Sequence, residues 1–158
     1  MTLNRRDFLA ASALAPAAAL AAPACAQGKR ELQMVMSWPH NFPGLASIAH
    51  NFAKYMDELT DGQITVKVHA AGEMVAAFEV FDAVGSGAAD AYHSTAVYLT
   101  SKWRPATFFS QVPFGLTVAE HCGWMYFGGG QDLQHKHFRE LFSIVPFTCG
   151  RTGVQMAG

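Results

Sequence analysis

Two short apolar runs, Leu32-Gln33-Met34-Val35-Met36 and Ile64-Thr65-Val66-Lys67-Val68-His69, decide the fold class of this chain. The second run alternates apolar and polar residues, a period of two that is typical of a half-buried strand. Between the runs, residues 43–60 place apolar side chains at three- and four-residue spacings, which predicts an amphipathic helix. Strand, helix and strand in this order predict a right-handed crossover between parallel strands.

The same alternation of elements continues after the second strand. A helix is predicted from about Val75 to Val84 and a third strand from Ala88 to Thr95. We therefore predict an α/β fold with a mainly parallel sheet flanked by helices on both faces. Ligands of such sheets gather at the carboxyl ends of the strands. The loops predicted to lie there are Trp38 to Gly44, Ala70 to Val75 and Tyr92 to Tyr98.

The sequence of the second half of the chain predicts two further helices and two extended segments. Thr117 and Glu120 have the S/T-x-x-E spacing of a capping box, which begins a helix that runs to the Gly128-Gly129-Gly130 break. The next helix is predicted over Asp132 to Phe142. The extended segments are Phe108 to Phe114 and Ile144 to Thr152.

The first 26 residues have the features of an export signal. Asn4-Arg5-Arg6-Asp7-Phe8-Leu9 is a twin-arginine head, and an alanine-rich run follows it as far as the small-residue pattern Ala24-Cys25-Ala26. A membrane anchor is disfavoured because the run is mostly alanine and two prolines interrupt it. Lipid attachment to Cys25 is a further alternative. We expect residues 1–26 to be a twin-arginine export signal.

Composition excludes some function classes. The 158 residues contain 11 basic and 12 acidic side chains, so the chain lacks the basic stripe that nucleic acid binding needs. The three cysteines form no CxxC pair that would indicate a zinc site. Export would place Cys122 and Cys149 in an oxidising compartment, where they either pair or remain buried free thiols; spacing alone does not decide.

No motif for bond-making chemistry is apparent. His93-Ser94 has no GxSxG context, and His135 and His137 are two residues apart on a predicted helix and so point in different directions. Three hypotheses follow: a binding module, a truncated non-functional fragment of one, and an exported enzyme of unrecognised type. The enzyme would need a titratable pair at the strand ends, where the available histidines are His40, His69 and His93.

Seven motifs, in one order along the chain, resemble a known family. They are Trp38-Pro39-x-Asn41-Phe42-Pro43-Gly44, Ala71-Gly72-Glu73, Phe78–Val84, Tyr92-His93, Val112–Leu116, Gly128–Gln131 and Thr152–Met156. The chain is similar to the periplasmic substrate-binding subunits of tripartite ATP-independent periplasmic (TRAP) transporters, the DctP-type family. The nearest branch is the one described as binding α-keto acids, or mannitol and chloroaromatic compounds.

The resemblance implies a two-lobed periplasmic binding protein that closes on a small organic acid and delivers it to a membrane permease. Members are about twice this length, so residues 27–150 would be the first lobe. Residues 151–158 would begin a crossover strand to a second lobe that this sequence lacks, as if truncated. Besides the permease, the twin-arginine export machinery would be a partner. A homodimer is a further possible assembly.

The resemblance also implies binding residues. In the α-keto acid branch, Gln155 would supply an oxygen to a sodium ion that bridges the protein and the substrate carboxylate; a solvent-facing strand residue is the alternative. Arg151 stands where the family often has Asn, and it either binds the carboxylate or fills the space with charge. Tyr98 matches a pocket tyrosine, and Trp38 and Phe42 would form an apolar wall.

Overall fold

The computed structural model describes residues 28–152. In chain order the strands and α-helices are β1 (Arg30–Met36), α1 (Leu45–Leu59), β2 (Ile64–His69), α2 (Val80–Gly85), β3 (Ala91–His93), α3 (Val118–Phe127) and α4 (Gly130–Phe142). Two 3₁₀ helices, Ala96–Leu99 and Arg104–Phe109, lie between β3 and α3. Within the described residues, no helix has both the length and the apolar character needed to cross a membrane.

The three strands form one parallel sheet in the order β2-β1-β3. The central strand β1 pairs with both neighbours, and Met34 lies opposite Val68 on one side and Ala91 on the other. Parallel strands joined through helices confirm the predicted α/β fold. All three carboxyl ends consequently lie along the same edge of the sheet.

Helices cover both faces of β1, because successive side chains of a strand point to opposite faces. Met34 and Met36 pack with Ala46 and Ala49 of α1. Val35, between them, belongs to the cluster on the other face, which includes Val80 and Ala83 of α2. A strand buried on both faces explains why this run is continuously apolar.

A third cluster attaches the second half of the chain to the sheet. Phe138 of α4 packs with Phe81 of α2, with Leu99 and Ala106 of the 3₁₀ helices, and with Ile144. Its ring stands nearly perpendicular to those of Phe81 and Trp103, with centroids 6.2 and 5.5 Å away. Edge-to-face packing of this kind fixes the angle at which α4 meets the sheet.

The helix boundaries of the second half agree with the sequence patterns to within two residues. Thr117 caps α3 through the predicted capping box: its hydroxyl accepts the backbone N–H of Glu120, whose carboxylate accepts the backbone N–H of Thr117. Those contacts lower the pKa of the Glu120 carboxyl, the backbone hydrogen bond being the largest cause. Helix α4 ends at Phe142 as predicted, but it begins at Gly130, the last glycine of the break, two residues before the predicted start at Asp132.

Three other predicted boundaries differ from the structure. Helix α2 begins at Val80 rather than Val75, because the Gly72 N–H donates to the Val75 carbonyl and holds a turn there. Strand β3 is shorter than predicted. Residues 108–114 are not a strand: Pro105 fixes a helical φ at the start of the 3₁₀ helix, and a turn at positive φ follows at Phe114.

We expect Phe138→Ala to lower the free energy of unfolding by about 3–5 kcal/mol, because it leaves a cavity where the 1% exposed ring joins α4 to α2. Urea titration followed by circular dichroism measures this. Phe127→Ala is the matched control, since that ring is 91% exposed, and it should change stability by less than about 0.5 kcal/mol. Equal effects of the two substitutions would contradict the proposed core.

Candidate ligand-binding cleft

An open cleft of about 2300 Å³ lies at the carboxyl ends of β1 and β3. Trp38 follows β1 and Ser94 follows β3 at its wall, and the Ser37 and Ser94 hydroxyls are 2.7 Å apart. The loop after β2, Ala70 to Val75, lies outside the lining. Two of the three predicted loops therefore contribute to the cleft, because β3 and not β2 is the neighbour that faces the second half of the chain.

Aromatic side chains build one wall of the cleft. Trp38 is only 6% exposed and its ring lies 5.1 Å from the His93 ring and 6.5 Å from that of Tyr98. Tyr98 is 38% exposed and packs edge-on against Phe78 at 4.9 Å. Trp38 is thus packed behind the cleft wall, while the exposed part of the Tyr98 ring is accessible to a ligand.

The opposite wall is the segment 144–152, which has no strand partner within residues 28–152 and is held by side chains instead. The Pro146 carbonyl accepts a hydrogen bond from Gln131 at 3.0 Å and one from His135 at 2.7 Å. The Thr148 hydroxyl donates to the Gln131 side-chain oxygen at 3.4 Å. Helix α4 therefore sets the path of this segment along the cleft.

Gly150 brings the segment close to α1. A Cβ placed on Gly150 would collide with the side chain of Ile48, so the backbone passes directly over that residue. A side chain at this position would therefore displace the end of Ile48, whereas glycine leaves it in place. The close approach constrains the backbone between Cys149 and Arg151.

Arg151 belongs to the cleft lining, and one edge of its guanidinium has no partner among the described residues. The Phe108 carbonyl accepts the Nε2–H of His121 at 3.2 Å, so Nδ1 of that ring is the acceptor for Arg151 Nη1 at 2.5 Å. Nε and Nη2 of Arg151 are buried and have no hydrogen-bond partner among residues 28–152. These two nitrogens form the side of the guanidinium that binds a carboxylate with two parallel hydrogen bonds.

Cys149 and His93 form a thiol–imidazole pair in the same cleft. Cys149 Sγ lies 3.4 Å from His93 Nδ1, and His93 Nε2 lies 2.9 Å from the Leu45 carbonyl oxygen. Partial burial raises the pKa of the Cys149 thiol, and burial lowers the pKa of His93. Cys149 and Cys122 are both free thiols, so the alternative of a disulfide between them is not realised.

A second histidine cluster lies away from the cleft. Glu73 accepts the Ala70 N–H at 3.0 Å and contacts His40 at 2.9 Å and His69 at 3.7 Å. The backbone hydrogen bond, followed by the one from His40, lowers the pKa of Glu73. The cluster holds the turn after β2. Among the described residues, no group of three or more His, Cys, Asp or Glu side chains is arranged to hold a metal ion.

Residues 34–158 match the model of the bacterial extracellular solute-binding proteins, family 7. The chain belongs to this family. The match covers most of the chain, including every element described above except the first residues of β1. The fold and the family are those of transporter solute-binding proteins, as the seven motifs indicated.

Two TRAP solute-binding proteins of known structure resemble this chain. One is the TRAP transporter solute-binding protein of Bordetella bronchiseptica, with calcium and picolinate bound, which is 29% identical and has a TM-score of 0.78. The match covers 82% of this chain and 38% of that protein. The other is the TRAP solute-binding protein of Pseudoalteromonas atlantica, with sodium and pyruvate bound, which is 33% identical and has a TM-score of 0.69. The match covers 71% of this chain and 34% of that protein.

A third relative is the monocarboxylate 2-oxoacid-binding periplasmic protein of Nostoc sp., 35% identical over 126 residues, which are 80% of this chain and 34% of that protein. The chain thus spans about a third of the length of these relatives. The relatives bind small carboxylates or 2-oxoacids, and two of them hold a sodium or calcium ion.

The resemblance to TRAP substrate-binding subunits implies five ligand-binding residues, and the structure brings three of them together. Trp38, Tyr98 and Arg151 line the cleft. Phe42 lies outside the lining, 43% exposed in the turn before α1. Gln155, assigned as the cation ligand, lies outside the described residues, as do the export signal 1–26 and Cys25.

Sequence reasoning missed how the remaining polar residues of the cleft combine. The sequence places His93 near the strand ends and in the Tyr92-His93 motif but gives it no partner, and it gives His121 no role. Their partners, Cys149 and Arg151, are 56 and 30 residues away along the chain. No local spacing encodes such pairs. The one signal in the sequence is that His93 ends a predicted strand, at the sheet edge where ligands bind.

We expect His93 to titrate below the value of about 6.5 for free imidazole, because burial disfavours its charged form. The unfolded chain then binds more protons, so stability should fall as the pH drops from about 7.5 to about 5.5. NMR titration of the imidazole carbons, assigned with His93→Gln, measures the pKa. A value above that of free imidazole would contradict the buried environment.

Proposed function

We propose that this chain forms the first lobe of an extracytoplasmic solute-binding subunit of a TRAP transporter. The subunit captures a small organic acid of the 2-oxoacid (α-keto acid) class and delivers it to a membrane permease. The family and the ligands named for three relatives support this class of solute. Its role is binding and delivery, not catalysis.

The open edge of Arg151 is the observation that carries this proposal. Buried charged donors without partners are costly, so two of them on a side chain of the cleft lining favour an anionic occupant. His121 holds the guanidinium in place before the ligand arrives, which reduces the ordering cost of binding. In this arrangement Arg151 receives the carboxylate, and Tyr98, with Trp38 packed behind it, contacts the short apolar body of the acid.

A cation completes the site. Two relatives hold sodium or calcium together with their acid. We propose that Gln155 offers its side-chain oxygen to a sodium ion that bridges the protein and the ligand carboxylate. A hard cation of this kind takes several oxygen ligands, so Gln155 would be one of a larger set.

The rest of the proposal concerns the whole protein. Residues 27–150 make the first lobe, and residues 151–158 begin the crossover strand to a second lobe. Residues 1–26 direct export to the periplasm through the twin-arginine machinery, as the Arg5-Arg6 head indicates. Membrane permease subunits receive the ligand, and a homodimer is the assembly to test first, since one relative is a dimer.

Arg151→Gln should weaken pyruvate binding by about tenfold or more, since it removes two charge-assisted hydrogen bonds. Saturation-transfer difference NMR on the 158-residue chain detects the weak affinity expected of the first lobe alone. Arg139→Gln is the matched control, because Arg139 is exposed on α4 outside the cleft lining. Equal binding by both variants would remove Arg151 from the site.

Gln155→Ala should abolish the dependence of pyruvate binding on sodium, because it removes an oxygen ligand of the bridging ion. The measurement compares pyruvate affinity in sodium chloride and in choline chloride at the same ionic strength. Gln63→Ala, at an exposed position between α1 and β2, is the control. A sodium effect that persists in Gln155→Ala would exclude this residue as a cation ligand.

A further inference from the structure

The Cys149–His93 pair has a defined direction of hydrogen bonding. The Leu45 carbonyl oxygen can only accept, so the Nε2 that faces it at 2.9 Å carries the proton. Nδ1 of the neutral ring then holds a lone pair, and it lies 3.4 Å from Cys149 Sγ. The thiol is the donor of this contact. A nucleophile, a base and a group that orients the base are therefore assembled in one place.

Both members of the pair rest in their neutral forms. Burial lowers the pKa of His93, which keeps the ring able to accept a proton at neutral pH. Burial raises the pKa of the Cys149 thiol, which keeps the sulfur protonated until a reaction partner arrives. Burial also raises the pKa of neighbouring Tyr92 to about 12, so its phenol adds no charge.

The pair lies on the same segment as Arg151. Cys149 and Arg151 are two residues apart in a non-helical segment, and both line the cleft. Burial has the larger effect on the pKa of the Cys149 thiol and raises it, while the charge of Arg151 also acts on the thiol and lowers that pKa. The keto carbon of a 2-oxoacid is bonded directly to its carboxylate carbon. A carboxylate on Arg151 thus brings an electrophilic carbon towards Cys149.

We propose that Cys149 captures a bound 2-oxoacid as a reversible hemithioketal, with His93 moving the proton. This inference rests on the proposed function, because it requires a 2-oxoacid in the cleft. It goes further by assigning the recognition of the keto group to a thiol. Acids of the same shape that lack an electrophilic carbonyl would bind without the covalent bond.

The addition is balanced without a co-reactant. The Sγ–H bond breaks as its proton passes to His93 Nδ1, and a sulfur electron pair forms an Sγ–C bond to the keto carbon. The π electrons of the carbonyl move to its oxygen, which takes the proton back from His93. The reverse sequence releases the acid unchanged, as delivery to a permease requires. Proximity in the cleft supplies the high local concentration that drives the addition.

The decisive measurement is carbon-13 NMR of pyruvate labelled at the keto carbon, added to the 158-residue chain. The proposal expects a protein-broadened signal of a tetrahedral carbon bonded to sulfur, absent from a protein-free sample that contains only free pyruvate and its hydrate. Cys149→Ser should lose this signal. Cys122→Ser is the matched control, because that thiol lies on α3 outside the cleft lining, and it should retain the signal.

Alkylation provides a second readout on the unaltered chain, which does not depend on a variant that folds. Iodoacetamide modification of Cys149 is followed by peptide mass spectrometry in the presence of pyruvate or of oxamate, whose amide carbonyl is a poor electrophile. Pyruvate should slow the modification several-fold more than oxamate at equal occupancy. In Cys149→Ser, the affinity for pyruvate should fall several-fold more than the affinity for oxamate.

The outcomes separate this inference from the proposed function. A tetrahedral signal that depends on Cys149 supports both. Binding of pyruvate and oxamate without that signal, and with equal protection of Cys149, overturns the covalent capture and leaves the proposed function intact. Failure of both acids to bind, measured by saturation-transfer difference NMR, overturns the inference together with the proposed ligand class.

Discussion

The parallel pairing of β1 with both of its neighbours is the constraint on which the rest of the structure depends. It brings Ser37 and Ser94, which follow different strands, within hydrogen-bond distance at one edge of the sheet. The same strand buries Met36 under α1 and Val35 under α2. A register shift of one residue would exchange these faces, so the packing of both helices holds the pairing in place. The position of the cleft follows from that pairing.

The second wall of the cleft is held in a different way. Segment 144–152 is attached to α4 through Gln131 and His135 and passes over α1 at Gly150. Side-chain hydrogen bonds to a single carbonyl hold backbone less firmly than a sheet ladder, because each can open independently. One wall is therefore built on the sheet ladder, and the other is held by side-chain contacts to α4, His93 and His121.

Two long-range pairs in the cleft, Arg151 with His121 and Cys149 with His93, have the same arrangement. In each, a backbone carbonyl orients a histidine, and the other nitrogen of that histidine holds the functional side chain. Phe108 and His121 position Arg151, while Leu45 and His93 position Cys149. Each ring has a defined tautomer because a carbonyl can only accept. Both side chains are thus oriented by contacts within the chain, and in the proposed function this lowers the entropy cost of capturing a small acid.

The sequence by itself determined the fold class, the central strands, helices α1, α3 and α4, and the family, because hydrophobic periodicity and capping are local properties that survive in any context. It misplaced the start of α2 and the segment 108–114, where a turn and Pro105 override the apolar pattern. Of the residues assigned to the ligand, Trp38, Tyr98 and Arg151 meet at the cleft, whereas Phe42 lies apart. Only the tertiary structure joined His93 to Cys149 and His121 to Arg151. Those contacts depend on the packing of α4 and α1 around the sheet, and no spacing along the chain records that packing.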